Sequence, residues 1–511
     1  MKFWTDLLMA RVRLAIFGVG MHFQETYTTA LKRKDIADVI EVAWVVDTAD
    51  KESLVKSRLK KIEQSAKFIG VEKFDSLELP DRIIQQLNEA QRDNPVDAVL
   101  VSTTPEQHRA YVTWALESRL NVLLDKPIST RKNATTDHDQ AAGILDDWQH
   151  MVKLRKQTGA FVMINSHRRF HPAYYHVGKL LEEVAERYSI GVTSLSSFNS
   201  DGQWRLPNEL EDITYHGYEN GNGVISHFGY HYLDLITTWY RKGTPENNRA
   251  DKARVYSSFS TALNYTKQIP QALSSKLLTD HGEPRPSKQR SSLGQHIANY
   301  GEVDSFNSIE FIKGNVQTAH ASVQMLHSGF SQRAWTKPAE NLYKENGRLR
   351  WENHLIQQGP LHAIEVRSFQ AVQPAHLDPE DGLPRWELGG SDQLEINIYR
   401  NRLIGGKPLE TIQVKDILQE VPRYDVLHED VKAKTLKLFA GLVAYDLGVL
   451  DSLKADRKWK VYVRSMATAS LQDRSFIEAH QPTVALMSAA YQSYAKRVNE
   501  LNPIQEVSLQ W

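Results

Sequence analysis

Residues 12 to 17, VRLAIF, form a short apolar run that ends directly on Gly18-Val19-Gly20. A patterned stretch reaches about Leu31 and closes on Lys32-Arg33-Lys34, whose charges suit the negative end of a helix dipole. EVAWVVD, residues 41 to 47, follows as a β-rich run ending in an acid. Strand, glycine turn, helix, strand, acid is the layout of a dinucleotide-binding βαβ unit. Gly18 permits the tight turn, and Gly20 lets the backbone approach a pyrophosphate. The helix start then offers unpaired N–H groups to the anion. Asp47 accepts from ribose hydroxyls, which favours NAD over a cofactor with a 2′-phosphate. The third glycine of G-x-G-x-x-G is replaced by Phe23, so the helix is expected to stand farther from the strand than usual. On this fragment alone, the turn is equally compatible with a plain connection between core elements.

The following segments extend the pattern. DAVLVSTTPEQH (97 to 108) reads as a buried strand running into Thr103-Thr104-Pro105, with a helix from about Glu106 to Ser118. NVLLDKPIS (121 to 129) is another strand, carrying Asp125-Lys126-Pro127. A long helix, roughly Asn133 to Thr158, leads into FVMIN (161 to 165). Strands alternating with helices imply a parallel α/β sheet with ligands at the C-terminal strand ends. Gly18, Asp47, Thr104 and Lys126 all fall at such ends.

TTPEQH, LNVLLDKP, HRRFHP (167 to 172) and GNGVISHFGYHYLDL (221 to 235) occur in an order that resembles the Gfo/Idh/MocA oxidoreductase family, over about residues 12 to 240. The resemblance implies two domains. Residues 1–166 form an α/β, NAD(P)-binding Rossmann domain. Residues 167–511 form a larger α+β substrate-binding and oligomerisation domain on an open, mostly antiparallel sheet, enlarged by insertions and C-terminal helices. It implies an NAD-dependent dehydrogenase acting on a sugar, cyclitol or related polyol, with NAD rather than NADP. An NAD-retaining glycosidase or lyase, and a non-catalytic ligand-binding protein that kept the fold, stay open beside it. The family's E-K-P motif stands here as Asp125-Lys126-Pro127, and its lysine lies beside the nicotinamide and the substrate hydroxyl. The family's D-x-x-x-H helix reads His227-x-x-x-His231, so an imidazole stands where the carboxylate is usual, and Asp234 is a possible substitute anchor.

The implied catalytic residues are therefore Lys126, His231 and His227. The cofactor-binding candidates are Gly18, Gly20, Met21, His22, Asp47, Thr103, Thr104, Pro105, His108, Asp125, Lys126 and Asn165. Arg169, Trp204, Arg205, Tyr218 and His231 are the substrate-binding candidates. Residues 194 to 223 read as a polar, aromatic loop in which Trp204, Arg205, Tyr215 and Tyr218 can line a carbohydrate site. Paired His227 and His231, with His216 as a third ligand, raise a metal reading, but no metal is expected.

Composition bounds the rest. Lys+Arg and Asp+Glu both number 62, so no basic field grips nucleic acid. With no cysteine among 511 residues, disulfides, thiolate metal sites and a thiol nucleophile are excluded. No apolar stretch nears the ~20 residues that span a bilayer and no signal peptide is recognised, so a cytoplasmic protein is expected. Its partners are expected to be a small-molecule substrate and a second copy of itself. From Arg254 onward β-rich runs dominate, and Leu394, Ile396 and Ile398 alternate as in a sheet with one buried face. Helices are expected near 429 to 453 and 482 to 497, with stripes at Leu436, Phe439, Val443, Leu447, Leu450 and at Val484, Met487, Tyr491, Tyr494.

Overall fold

The computed structural model describes residues 10–62, 65–205, 209–212, 217–268, 297–333, 347–371, 392–417 and 428–511. The Pro-rich segments 283 to 292 and 374 to 384, and Tyr215 and His216, lie outside the described residues. The chain divides into two compact units: 1–129, 146–171 and 423–481 form the first, and 130–145, 172–422 and 482–511 the second.

The first unit is built on β1 (Val12–Phe17), β2 (Ile40–Thr48), β3 (Lys67–Val71), β4 (Ala98–Val101), β5 (Asn121–Asp125) and β6 (Val162–Asn165), ordered β3-β2-β1-β4-β5-β6 and parallel throughout. This is the doubly wound order with its switch point between β1 and β4. Register aligns the working ends: Phe17 lies opposite Val46 and Val101, and Asp125 opposite Asn165. Strands buried on both faces need continuous apolar runs, and Val99, Leu100, Val122, Leu123 and Leu124 supply them.

Phe23, which stands where the third glycine is usual, turns into the hydrophobic core of the unit. It is fully buried in the core with Ile16 and Val19, and the chain widens there into a π-helical turn, Phe23–Tyr27, in which Thr28 N–H donates to Phe23 O. An i→i+5 turn fits an extra residue into the helix and so seats a large ring where a glycine is usual.

The expected division at residue 166 is not where the units part. The helix His428–Asp446 packs on β1, β5 and β6 of the first unit, and Leu436, Phe439, Ala440 and Val443 join its core. Phe439 meets Phe161 edge-on, with ring centroids 5.7 Å apart. Arg33–Asp430 (2.9 Å), Lys437–Asp35 (3.0 Å) and Lys454–Asp38 (2.9 Å) join the two ends of the chain. The apolar stripe identified a core helix, but periodicity does not say which core. Leu447, counted in that stripe, is exposed, because the helix ends at Asp446.

Among the described residues, the second unit holds a nine-stranded sheet, ordered β14-β13-β12-β11-β7-β10-β9-β8-β15. Its strands are β7 (Ser194–Gly202), β8 (Lys252–Thr261), β9 (Glu302–Lys313), β10 (Val316–Leu326), β11 (Leu349–Gln358), β12 (His362–Ala371), β13 (Asp392–Arg400), β14 (Leu409–Gln413) and β15 (Gln505–Ser508). All neighbours pair antiparallel except β10 with β7. The expected loop from Ser194 is in fact a central strand as far as Gly202. Its buried positions include Ser197, Asn199 and Asp201, so the usual apolar alternation is missing. Ser197 pairs with His354 Nδ1 (3.0 Å), and Asn199 donates to Ser197 Oγ (2.8 Å).

Phe439→Ala removes a fully buried ring of the first unit's core and is expected to cost about 3–5 kcal/mol in urea unfolding. An unchanged midpoint would show that the C-terminal helix is not part of that core.

Candidate functional site

The first unit gathers a polar site where its strands end. Gly18 adopts φ +87°, and a Cβ there would fall 2.5 Å from Ser102 O, so the β1 turn closes onto the end of β4 only with glycine. Above Gly20 nothing lies within 4 Å of where a Cβ would stand. In a dinucleotide-binding turn this is the position at which backbone and pyrophosphate approach each other. Asp47 is turned into the same turn: Oδ2 accepts from Val19 N–H (2.9 Å), Oδ1 from Thr48 N–H (2.8 Å), and Lys51 Nζ lies 3.3 Å away. Arg58 braces the turn from below through Val19 O and Gln24 Oε1 (2.8 Å).

Asp125 is the centre of the site. Tyr27 Oη donates to Oδ1 (2.6 Å), Ser102 Oγ to Oδ2 (2.6 Å), and Asn165 Nδ2 to Oδ1 (3.3 Å) and to Tyr27 Oη (2.5 Å). His22 Nε2 lies 3.5 Å from Oδ2 and 2.7 Å from Lys432 Nζ. Burial alone would raise this carboxyl, but the His22–Lys432 pair, which together carries one positive charge, and the Ser102 and Tyr27 hydroxyls hold it below the ordinary range. Burial and the adjacent Asp125 push the Tyr27 phenol well upward, so it remains a donor. Asn165 Oδ1 is buried and lacks a hydrogen-bond partner. An orphaned acceptor beside the Asp125 cluster fits a carboxamide donor such as that of nicotinamide.

Lys126 is half-buried and follows Asp125 through a loop with a cis Lys126–Pro127 peptide. Ser129 Oγ donates to Asp147 (2.7 Å) and Arg109 pairs with the same carboxylate (3.0 Å), which fixes the loop. His108 is not on the cofactor surface. It is fully buried, with Nδ1 2.9 Å from Pro127 O and Nε2 3.2 Å from Thr103 O, and so ties the β4 and β5 loops together. Burial lowers its pKa despite those carbonyls. Thr103, Thr104 and Pro105 lie on the β4 loop, and Met21 lies in the helical turn after Gly20.

Arg169 also belongs to the first unit. Its guanidinium donates to the carbonyls of Gln472 (3.3 Å) and Ala479 (3.1 Å), so it clamps the C-terminal segment onto the unit. These bonds give it a packing role beside the expected substrate role. The residues that sequence reasoning missed are Tyr27, Arg58, Ser102 and Lys432. Only the hydroxyl of Ser102, directly before Thr103, lay within a motif already under scrutiny.

In the second unit, His227 lies inside a π-helical turn, Ile225–Gly229, and His231 in the helix Tyr230–Lys242. Both are buried. The His227 ring sits 5.8 Å from Tyr218 and 6.2 Å, nearly parallel, from His327. Tyr218 Oη meets His327 Nδ1 at 2.5 Å, and His327 Nε2 faces Asp201 Oδ2 at 3.9 Å. Arg348 grips Asp201 with two bonds (2.6 and 2.5 Å) and Arg350 adds a third (3.2 Å). Burial opposes ionisation, but these guanidiniums hold the Asp201 carboxyl far below its ordinary range. Tyr218 and His327 thus form a hydrogen-bonded pair, and the Asp201 carboxylate, locked as an anion, lies within reach of the ring's charge but not of a hydrogen bond.

Asp234 accepts from Thr483 Oγ1 (3.0 Å), a buried anchor between two helices. Trp204 and Arg205 follow β7, where Arg333 donates to Trp204 O (3.0 Å) while paired with Glu209 (2.6 and 2.8 Å). Among the described residues, no group of three His, Cys, Asp or Glu is placed to hold a metal ion. No described helix is long and apolar enough to cross a membrane.

The start of the helical stretch bearing His227 and His231 rests on Glu302. Its carboxyl accepts from Ile225 N–H (2.9 Å), Tyr491 Oη (2.8 Å) and Thr135 Oγ1 (2.8 Å). Burial pushes its pKa up to about 7.

Residues 12–166 match the family described as "Oxidoreductase family, NAD-binding Rossmann fold", GFO_IDH_MocA. The first unit thus contains an NAD-binding Rossmann fold like that of the Gfo/Idh/MocA oxidoreductases. Across nearly the whole chain the fold is similar to that of an inositol dehydrogenase homolog from Azotobacter vinelandii complexed with NADH and myo-inositol (13% identity, 99% of each chain, TM-score 0.54). It is also similar to an aldose-aldose oxidoreductase from Caulobacter crescentus complexed with glycerol (13% identity, 98% of this chain and 100% of that one, TM-score 0.53). No curated protein is matched in sequence.

Gly20→Ala is expected to leave stability unchanged but to weaken NADH binding at least about tenfold, or 1.4 kcal/mol. Gly18→Ala is expected to cost about 1–3 kcal/mol of stability through its backbone conformation. Fluorescence titration and urea unfolding of both variants check the pair, and equal effects would contradict the assignment. For Glu302, the native state binds the proton more tightly than the unfolded chain, whose carboxyl titrates near 4.5. Its contribution to stability is therefore full below about pH 4.5 and declines as pH rises through about 7. Glu302→Gln should gain in Tm relative to wild type between pH 5 and pH 8, and a constant difference would contradict the shift.

Proposed function

We propose that the protein is an NAD(H)-dependent oxidoreductase that acts on a CH–OH group of a sugar, cyclitol or related polyol. The observation that carries this reading is the placement of Lys126 directly after the buried Asp125 cluster, at the strand ends that also hold the open glycine turn and the Asn165 acceptor. NAD+, when bound, accepts a hydride from the carbinol carbon. Lys126 then holds the substrate oxygen and polarises its O–H. Asp125 stays an anion because its hydrogen bonds are made by the protein, and it keeps the lysine's surroundings negative.

The second unit supplies candidate groups for the proton and for substrate recognition. His231 is the proposed base, with His227 beside Tyr218. The Tyr218–His327 pair offers a further acid–base group, and the nearby Asp201 carboxylate favours the tautomer with hydrogen on Nε2, leaving Nδ1 to accept from Tyr218. Trp204 gives an aromatic face of the kind that stacks on sugar C–H surfaces. The outward face of the large sheet exposes Tyr256, Phe306, Trp351, Leu355 and Tyr399, which supports association with a second copy.

Lys126→Met is expected to lower turnover at least about 100-fold, the scale of one acid–base group, while leaving NADH affinity within twofold to threefold. The assay supplies NAD+ with a panel of aldoses and inositols and follows absorbance of NADH. Undiminished turnover in the variant would sink the reading. Substrate consumption by wild type without NADH release would instead indicate that the cofactor is retained through a closed cycle.

A further inference from the structure

Lys432 is 1% exposed, from a helix near the far end of the chain, yet its ammonium ends inside the dinucleotide site. A lysine buried so fully without good partners would lose its proton or unfold its surroundings. Here Nζ donates to His22 Nε2 at 2.7 Å, and the same ring nitrogen lies 3.5 Å from Asp125 Oδ2. His22 is the second residue after Gly20, and its side chain is 32% exposed, so part of the ring reaches the surface beside the turn. The bond from Lys432 makes Nε2 an acceptor and places the imidazole proton on Nδ1. One buried cation thereby fixes the ring of His22, its tautomer and the sign of the field beside the glycine turn.

We propose that Lys432 is a cofactor-positioning residue: it presents His22 as a donor to the dinucleotide's pyrophosphate and offsets the anion's charge from the buried side. The Rossmann site is in that case completed by the helix His428–Asp446, outside the family-matched residues 12–166. A turn that lost its third glycine to Phe23 gains in exchange a charged partner that the βαβ unit does not contain. The inference rests on the reading of the first unit as an NAD site.

The test titrates the full chain with NADH, ADP-ribose and adenosine, in wild type, Lys432→Met, His22→Ala and the double variant. Lys432→Met is expected to weaken NADH and ADP-ribose at least about tenfold, with adenosine, which lacks phosphate, held within twofold to threefold. The double variant should bind NADH no more than about threefold worse than Lys432→Met, because the two residues act as one unit. Should Lys432→Met fail to fold, His22→Ala, a change at a partly exposed side chain, must reproduce the selective loss. Wild-type NADH affinity in either single variant overturns the proposal, as does an equal loss for adenosine. If wild type itself binds no NADH, the reading of the site fails first.

Discussion

The buried carboxylate of Asp125 sets the terms for the first unit. An anion at 6% exposure is stable only if its lone pairs are filled and its charge is countered. Each requirement is met from a different part of the chain: Ser102 after β4, Asn165 at the end of β6, Tyr27 in the π-helical turn, and Lys432 through His22 from the C-terminal helix. Satisfying one charge thus fixes the relative positions of three strand ends, the first helical stretch and a segment some three hundred residues away. The apolar packing of Phe439, Leu436 and Val443 supplies the attraction that holds that segment in place, and the ion pairs along its edge set where it sits.

The second unit applies the same logic to a sheet. Its central strand β7 turns serine, asparagine and aspartate inward, which costs free energy unless every group is paired. Arg348 and Arg350 complete Asp201, and His354 completes Ser197. These pairs give β7 and β11 a polar interior on which Tyr218 and His327 can stand as chemical groups rather than packing. Glu302 plays a comparable part beneath the stretch that carries His227 and His231, except that its carboxyl has hydroxyl and amide donors and no cation.

The Rossmann half was legible wherever a local pattern carried the information. VRLAIF-GVG, Asp47 and the Asp125-Lys126-Pro127 run fall at the strand ends expected of them, because parallel buried strands and tight turns impose strong residue preferences. Legibility failed where tertiary partners decide. Ser194–Gly202 lacks apolar alternation because its partners are charges on other strands, and it read as loop. The stripe on residues 428–446 announced a buried helix but not its host. His108 and Arg169 read as ligand contacts from their motifs, yet backbone carbonyls lie against both ring nitrogens of the one and accept from the guanidinium of the other. Lys432 gave no signal at all, since a lysine at one position of an amphipathic helix ordinarily faces water.

In the proposed dinucleotide site, the stretch after Gly18 and the helix His428–Asp446 meet around the buried charge of Asp125. Amide hydrogen exchange of the full chain with and without NADH tests this arrangement most directly. NADH is expected to slow exchange together in residues 18–27 and in 428–437. Protection confined to residues 12–166, with exchange in the C-terminal helix unchanged, would contradict it.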